Sequence, residues 1–210
     1  PPFGFYKCHV FLATVGFLLR KYREKLYNIT TGEIVSDNIL KNMNRKVTRD
    51  KIERIIAKIR SMSETNIIRT TFITGLPGES EKEFDELHNF IEDTRFDRLG
   101  VFSYSPEEDT RAFDMSERVS EEVASERQDL LMSLQQEIAF EKNIALIDKI
   151  QKVIIDEIDE SGQAVGRSMG DCPDIDQLVI INDNHLKPGD IVEVRIIEAD
   201  GYDLIGTIGE

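Results

Sequence analysis

The stretch RTTFITGLPGES, from Arg69 to Ser80, decides how the chain is read. Phe72 and Ile73 favour an extended strand, Gly75-Leu76-Pro77-Gly78 punctuates it, and ESEKEFDELHNFIED continues with helical periodicity. A strand, a glycine-rich turn and a helix N-terminus form a common cradle for a nucleotide or its relatives. The same twelve residues also suit a plain corner of an α/β unit, so the decision falls to the flanking sequence.

Upstream, SDNILKNMNRK opens on a good N-cap and reads as a short helix, and TRDKIERIIAKIRSM reads as a second helix capped by Thr48. Ile52, Ile55, Ile56, Ile59 and Met62 fall on one face of it. In the helix after the glycine turn, Phe84, Leu87, Phe90 and Ile91 share a side, and LGVFSYS follows as another strand. Helix, strand, helix, strand at this spacing marks parallel βα units. SEEVASERQDLLMSLQQEIAFEKNIALIDKI is then one long helical run from the cap Ser120, with Leu130, Leu134, Ile138 and Ile144 as the expected packing stripe.

From Lys149 the period changes to two. KVIIDEI, AVGRS, LVIIN, DIVEVRIIEA and YDLIGTI are five short runs between Gly, Asp, Asn and Pro turns, the pattern of a small antiparallel barrel of the oligomer-binding kind. The expected fold is therefore α/β plus all-β. The expected divisions are an atypical segment 1–35, an α/β region 36–147 and a barrel 148–210.

The net charge of −14 is unevenly spread. Residues 151–210 hold fourteen acidic and four basic side chains, 4 − 14 = −10. Such a surface repels phosphate backbones and attracts basic proteins. Cys8 and Cys172 are far apart, and His9, His88 and His185 are scattered, so no disulfide framework and no metal site can be drawn. The apolar run Cys8 to Leu19 has twelve residues, short for a bilayer span and without the cleavage site of a signal peptide. A buried helix or strand is expected there, in a soluble, cytoplasmic protein.

RTTFITGLPGESEKEFDELHNFIEDTRFDRLGVFSYSPEEDT resembles the C-terminal half of the radical S-adenosylmethionine barrel of the methylthiotransferases. VGRSMGDCPDIDQLVII and ADGYDLIG resemble the TRAM domain that ends those enzymes, and RFDRLGVFSYSPEEDT and YDLIG match the RimO branch best. The resemblance runs from Ser36 to Gly206. It implies a partial TIM-like barrel followed by a TRAM barrel, in a family that methylthiolates an aspartate of small-subunit ribosomal protein twelve. It also implies S-adenosylmethionine and 4Fe-4S clusters as cofactors, with Ile73 and Gly75 approaching the adenine. Tyr104 and Ser105 end the last strand, where α/β barrels place their sites. Glu79 is expected to cap the following helix.

The departures from the family matter equally. The C-x3-C-x2-C triplet that holds the family's cluster is absent, and LYNITTGEIV stands where a DIPIQH-like strand is expected. A truncated, frame-shifted or mis-assembled gene would give this pattern. Low-potential clusters need cysteine thiolates, so no catalytic residue is assigned and the chain alone is expected to be inactive. The acidic barrel points to ribosomal protein twelve as partner rather than nucleic acid, and nothing points to a membrane. Two other readings stay open: a transfer-RNA methylthiotransferase, and a non-catalytic binding module.

Overall fold

A computed structural model describes residues 26–29, 36–42, 48–63, 66–108, 110, 112–183 and 185–208. The apolar run Cys8 to Leu19 and the TTGEI turn lie outside the described residues. The first part is a parallel sheet of β1 (Leu26–Ile29), β2 (Ile67–Thr74) and β3 (Arg98–Ser103), in that order. β1 pairs with β2 from Leu26↔Ile67 to Ile29↔Thr70, so part of LYNITTGEIV supplies a parallel strand. The helices are α1 (Asp37–Asn42), α2 (Arg49–Met62), α3 (Glu81–Thr94) and α4 (Glu121–Ile144).

Alternation along β2 sends Ile68, Thr70, Phe72 and Thr74 to one face and Ile67, Arg69, Thr71 and Ile73 to the other. Helices α2, α3 and α4 cover the first face. Ile52, Ile56 and Ile59 of α2, Phe84, Leu87, Phe90 and Ile91 of α3, and Leu131 and Ile138 of α4 share one core with Ile68, Phe72, Leu99 and Val101. Phe72, Phe90 and Phe96 meet edge to face with centroids 5.7 to 6.3 Å apart, the arrangement the ring quadrupole favours. The expected faces of α2 and α3 are present, apart from Ile55 and Met62, which are exposed.

The α4 stripe needs correction. Ile138 is buried and Leu134 partly so, but Leu130 and Ile144 are half exposed. The buried line is Ala124, Arg127, Leu131, Gln135, Ile138 and Ala139, because this helix binds the sheet with polar as well as apolar side chains. Gln128 shows how: its Nε2 donates to the Val101 carbonyl at 3.0 Å and its Oε1 accepts from Ser103 N–H at 3.2 Å. One amide thus satisfies two backbone groups on the outer edge of β3.

The second part is a closed barrel in the order β4-β5-β6-β8-β7, comprising β4 (Ile150–Ile158), β5 (Ala164–Ser168), β6 (Val179–Ile181), β7 (Ile191–Asp200) and β8 (Asp203–Ile208). Val153, Ile155, Ala164, Val179, Ile181, Val194, Ile196 and Leu204 fill it. Four of its pairings are antiparallel, as expected, but β6 and β8 run parallel. A period of two reports which face a side chain takes and nothing about strand direction.

The barrel meets the sheet at the N-terminal ends of β2 and β3. There Arg98 donates Nε to Asp171 Oδ1 at 2.5 Å, with the two side chains 8% and 0% exposed. Arg69 pairs with Asp176. Gly170 lies so close to Ile67 that an added Cβ would fall 2.8 Å from the isoleucine methyl. Asn143 of α4 donates to the Tyr202 carbonyl at 2.9 Å. Burial against this junction pushes the Tyr202 phenol pKa up, opposed by Arg98 nearby.

Candidate functional site

β2 and β3 end beside each other, with Ile73↔Phe102 and Thr74↔Ser103 in register. In α/β folds, ligand sites form at these carboxyl ends. The turn leaving β2 is held by Glu79, which is buried. Its Oε1 accepts from Thr74 Oγ1 at 3.0 Å and from Gly75 N–H at 3.0 Å, and its Oε2 accepts from the same N–H at 3.1 Å. Arg127 Nη1 of α4 donates to that carboxylate at 2.7 Å and to the Glu79 carbonyl at 3.2 Å, while Nη2 reaches Glu81 at 2.6 Å. The guanidinium also stacks on Phe84, 5.1 Å from its centroid.

Glu79 is therefore not the helix cap that the sequence suggested. Ser80 and Glu83 form the capping box of α3, and Glu79, one residue earlier, turns back to hold the end of the strand. Arg127 is the partner that sequence reasoning missed, and 48 residues separate the two.

Gly75 has φ +80°, which disfavours other residues, and a Cβ there would lie 2.4 Å from the Ala124 Cβ. Its missing side chain admits α4. The close approach made on that side is to a helix. Ile73 points to the face opposite α2, α3 and α4 and packs with Ile39 of α1, Leu76 and Tyr104 in a small apolar cluster. The Tyr104 hydroxyl is buried there with no hydrogen-bond partner among the described residues. Ser105 is exposed, as is Phe102 at 61%, beside Ile73 on the same face.

This edge offers an apolar wall, an aromatic ring and one unpaired hydroxyl, which suits a planar, partly polar group such as a nucleoside. Among the described residues it offers no thiolate to an iron–sulfur cluster. Among the described residues, no three His, Cys, Asp or Glu side chains are grouped to hold a metal. Cys172, half-buried, follows Asp171 in the segment at the other end of the strands, and the whole chain has two cysteines against the three ligands implied. No reaction step through a cluster follows from these residues.

The electrostatics of the barrel differ from a count of its charges. Asp171 and Asp176 face arginines of the α/β part, so the excess of ten negative charges becomes eight once Arg69 and Arg98 are included. Asp156 pairs with Arg167 at 3.0 Å. Asp159 spends its carboxylate on its own hairpin, accepting from Ser161 Oγ at 2.8 Å and from Ser161 and Gln163 N–H at 2.9 Å each. Those hydrogen bonds, the Ser161 hydroxyl first, hold its pKa below the ordinary aspartate value. No helix among the described residues is long and apolar enough to cross a membrane.

A closed five-stranded terminal barrel on a parallel α/β unit defines the class, and comparison with known proteins agrees: residues 147–208 match the TRAM domain family. Over 176 residues the chain is 44% identical to the ribosomal protein uS12 methylthiotransferase RimO of Bdellovibrio bacteriovorus, an alignment covering 83% of this chain and 38% of that protein. The protein of the same name from Caldanaerobacter subterraneus is 45% identical over 172 residues, covering 81% and 39%. That from Hydrogenovibrio crunogenus is 47% identical over 175 residues, covering 82% and 38%. The chain is thus a relative of the RimO-type uS12 methylthiotransferases and corresponds to their C-terminal part. It spans about two fifths of the length of the curated relatives it matches.

Proposed function

We propose that this chain does the work of the C-terminal portion of a uS12 methylthiotransferase, contributing one wall of a cofactor pocket and a docking barrel for the protein substrate. The observation that carries this reading is that one alignment runs through both the α/β part and the barrel, at 44% identity over 176 residues. In this reading residues 36–147 are the α/β domain and 148–210 the TRAM domain. Ile73 and Gly75 line the adenine side of S-adenosylmethionine, with Tyr104 Oη, unpaired among the described residues, as a hydrogen-bonding group beside them. S-adenosylmethionine, bound with a cluster held by cysteines outside this chain, would supply the radical chemistry; the residues here position and enclose.

The barrel keeps an excess of eight negative charges after its pairing to Arg69 and Arg98, which favours a basic protein over a polyphosphate. The test is a titration of the chain with purified ribosomal protein uS12, with bulk transfer RNA as competitor, at two salt concentrations. Salt-sensitive binding that the RNA does not displace supports the reading. Preference for the RNA, or binding to neither, refutes it.

A further inference from the structure

The face of the sheet away from α2, α3 and α4 is closed at one end and open at the other, where Phe102 is exposed. At the closed end stand Arg69 of β2 and Arg98 of β3, which are register partners, so two guanidinium groups lie side by side on one face. Like charges so placed repel, and burying them uncompensated is costly. The compensation comes from outside the sheet: Asp171 and Asp176, both on the segment joining β5 to β6, each take one arginine. That segment is braced within itself. Ser168 Oγ donates to Asp171 Oδ2 at 2.5 Å, and Asp176 Oδ2 accepts from Cys172 N–H at 2.6 Å. Gly170 brings its backbone against Ile67, and Asn143 ties α4 to Tyr202 at the same junction.

We propose that residues 169–178 form a two-pronged clasp that seals this end of the sheet and fixes the barrel to it as one rigid body. Each pair alone is ordinary. Both pairs together, with the aspartates five residues apart on a braced loop and the arginines side by side on adjacent strands, set two points of attachment and so remove the hinge. Gly75 marks the open end, six residues along from Arg69, or about 20 Å at the rise of an extended strand. The barrel therefore cannot swing a bound partner onto that end.

This consequence rests on the docking reading above. A partner held on the barrel would reach the Ile73–Phe102 edge only through an extended segment of roughly six residues or more. The partner class is then a protein with a projecting loop or tail rather than one with a flat reactive surface.

The test is 15N relaxation of the whole chain, comparing rotational correlation times for amides of β2 and α3 with those of β4 and β7. The wild-type chain is expected to give one correlation time for both groups. Asp171→Asn combined with Asp176→Asn is expected to split them, with the barrel tumbling about twice as fast as the α/β part. Asp174→Asn, which removes an exposed charge from the same loop, is expected to leave a single time. Should the double variant lose chemical-shift dispersion in the α/β part, Asp176→Asn alone is read in the same way. Two correlation times in the wild-type chain would overturn the proposal, as would a single time in the folded double variant or, in its place, in Asp176→Asn. Neither result bears on whether uS12 binds, so a failed clasp and a failed docking reading are told apart.

Discussion

Replacing Glu79 by Gln tests whether this carboxylate is the hub of the β2 turn. The substitution keeps the volume and removes the charge. In the wild-type chain the carboxylate accepts from Thr74, Gly75 and Arg127, and its side chain is 3% exposed. An amide offers one acceptor oxygen in place of two, and its NH2 must face donors. Arg127, 6% exposed, would keep its link to Glu81, which is itself 81% exposed, and lose its buried partner. Breaking a buried pair by removing one member costs about 3–5 kcal/mol, because the surviving charge stays desolvated. With a urea slope of about 2 kcal/mol/M, the unfolding midpoint of the α/β part is expected to fall by roughly 1.5–2.5 M. The readout is the intensity of β2 and α3 amide resonances along a urea titration, which keeps the barrel's own unfolding separate. Glu81→Gln is the control, expected to cost under about 1 kcal/mol because one partner is exposed. A Glu79→Gln midpoint no lower than that of the control would show that the carboxylate behaves as an ordinary cap and that the hub argument is wrong.

Three other outcomes are expected. Gly75→Ala should destabilise the same part by about 2–5 kcal/mol, combining a left-handed backbone penalty with a clash against Ala124, as measured by the same titration. Gln128→Ala should free the Val101 carbonyl and Ser103 N–H and raise the apparent mass with concentration in sedimentation velocity, whereas Gln136→Ala, at an exposed position of the same helix, should not. Acid should loosen the Asp159 hairpin. Its folded pKa lies below the unfolded value, so its contribution is complete above about pH 4 and is lost as the pH falls through the lower folded value. Measured against the intrinsic rate at each pH, protection of the Ser161 and Gln163 amides should fall in that window in the wild-type chain and stay level in Asp159→Asn.

What could be read directly from the sequence is what periodicity encodes. The buried quartet Phe84, Leu87, Phe90 and Ile91 repeats with the helical turn, and the barrel strands alternate with the pleat. The RimO-like phrases located both parts. Features that depend on two distant residues were not legible. Arg127 looks like any charged helix residue until Glu79 is brought beneath it. Asp171 and Asp176 counted as acidic surface because nothing local announces that Arg69 and Arg98 will face them. At Gly75 the contact that a Cβ would meet is with Ala124, 49 positions along the chain, and no local pattern announces it. The β6–β8 pair runs parallel because the chain takes the long way round through β7 before β8 closes the barrel, and strand direction leaves no mark on composition.

The side-chain amide of Gln128 has a further consequence. By imitating a neighbouring strand along Val101 and Ser103, it makes the sheet a ladder with one finished side, so new rungs can be added only beyond β1. Any further strand joining this sheet would therefore pair along β1, the edge opposite β3.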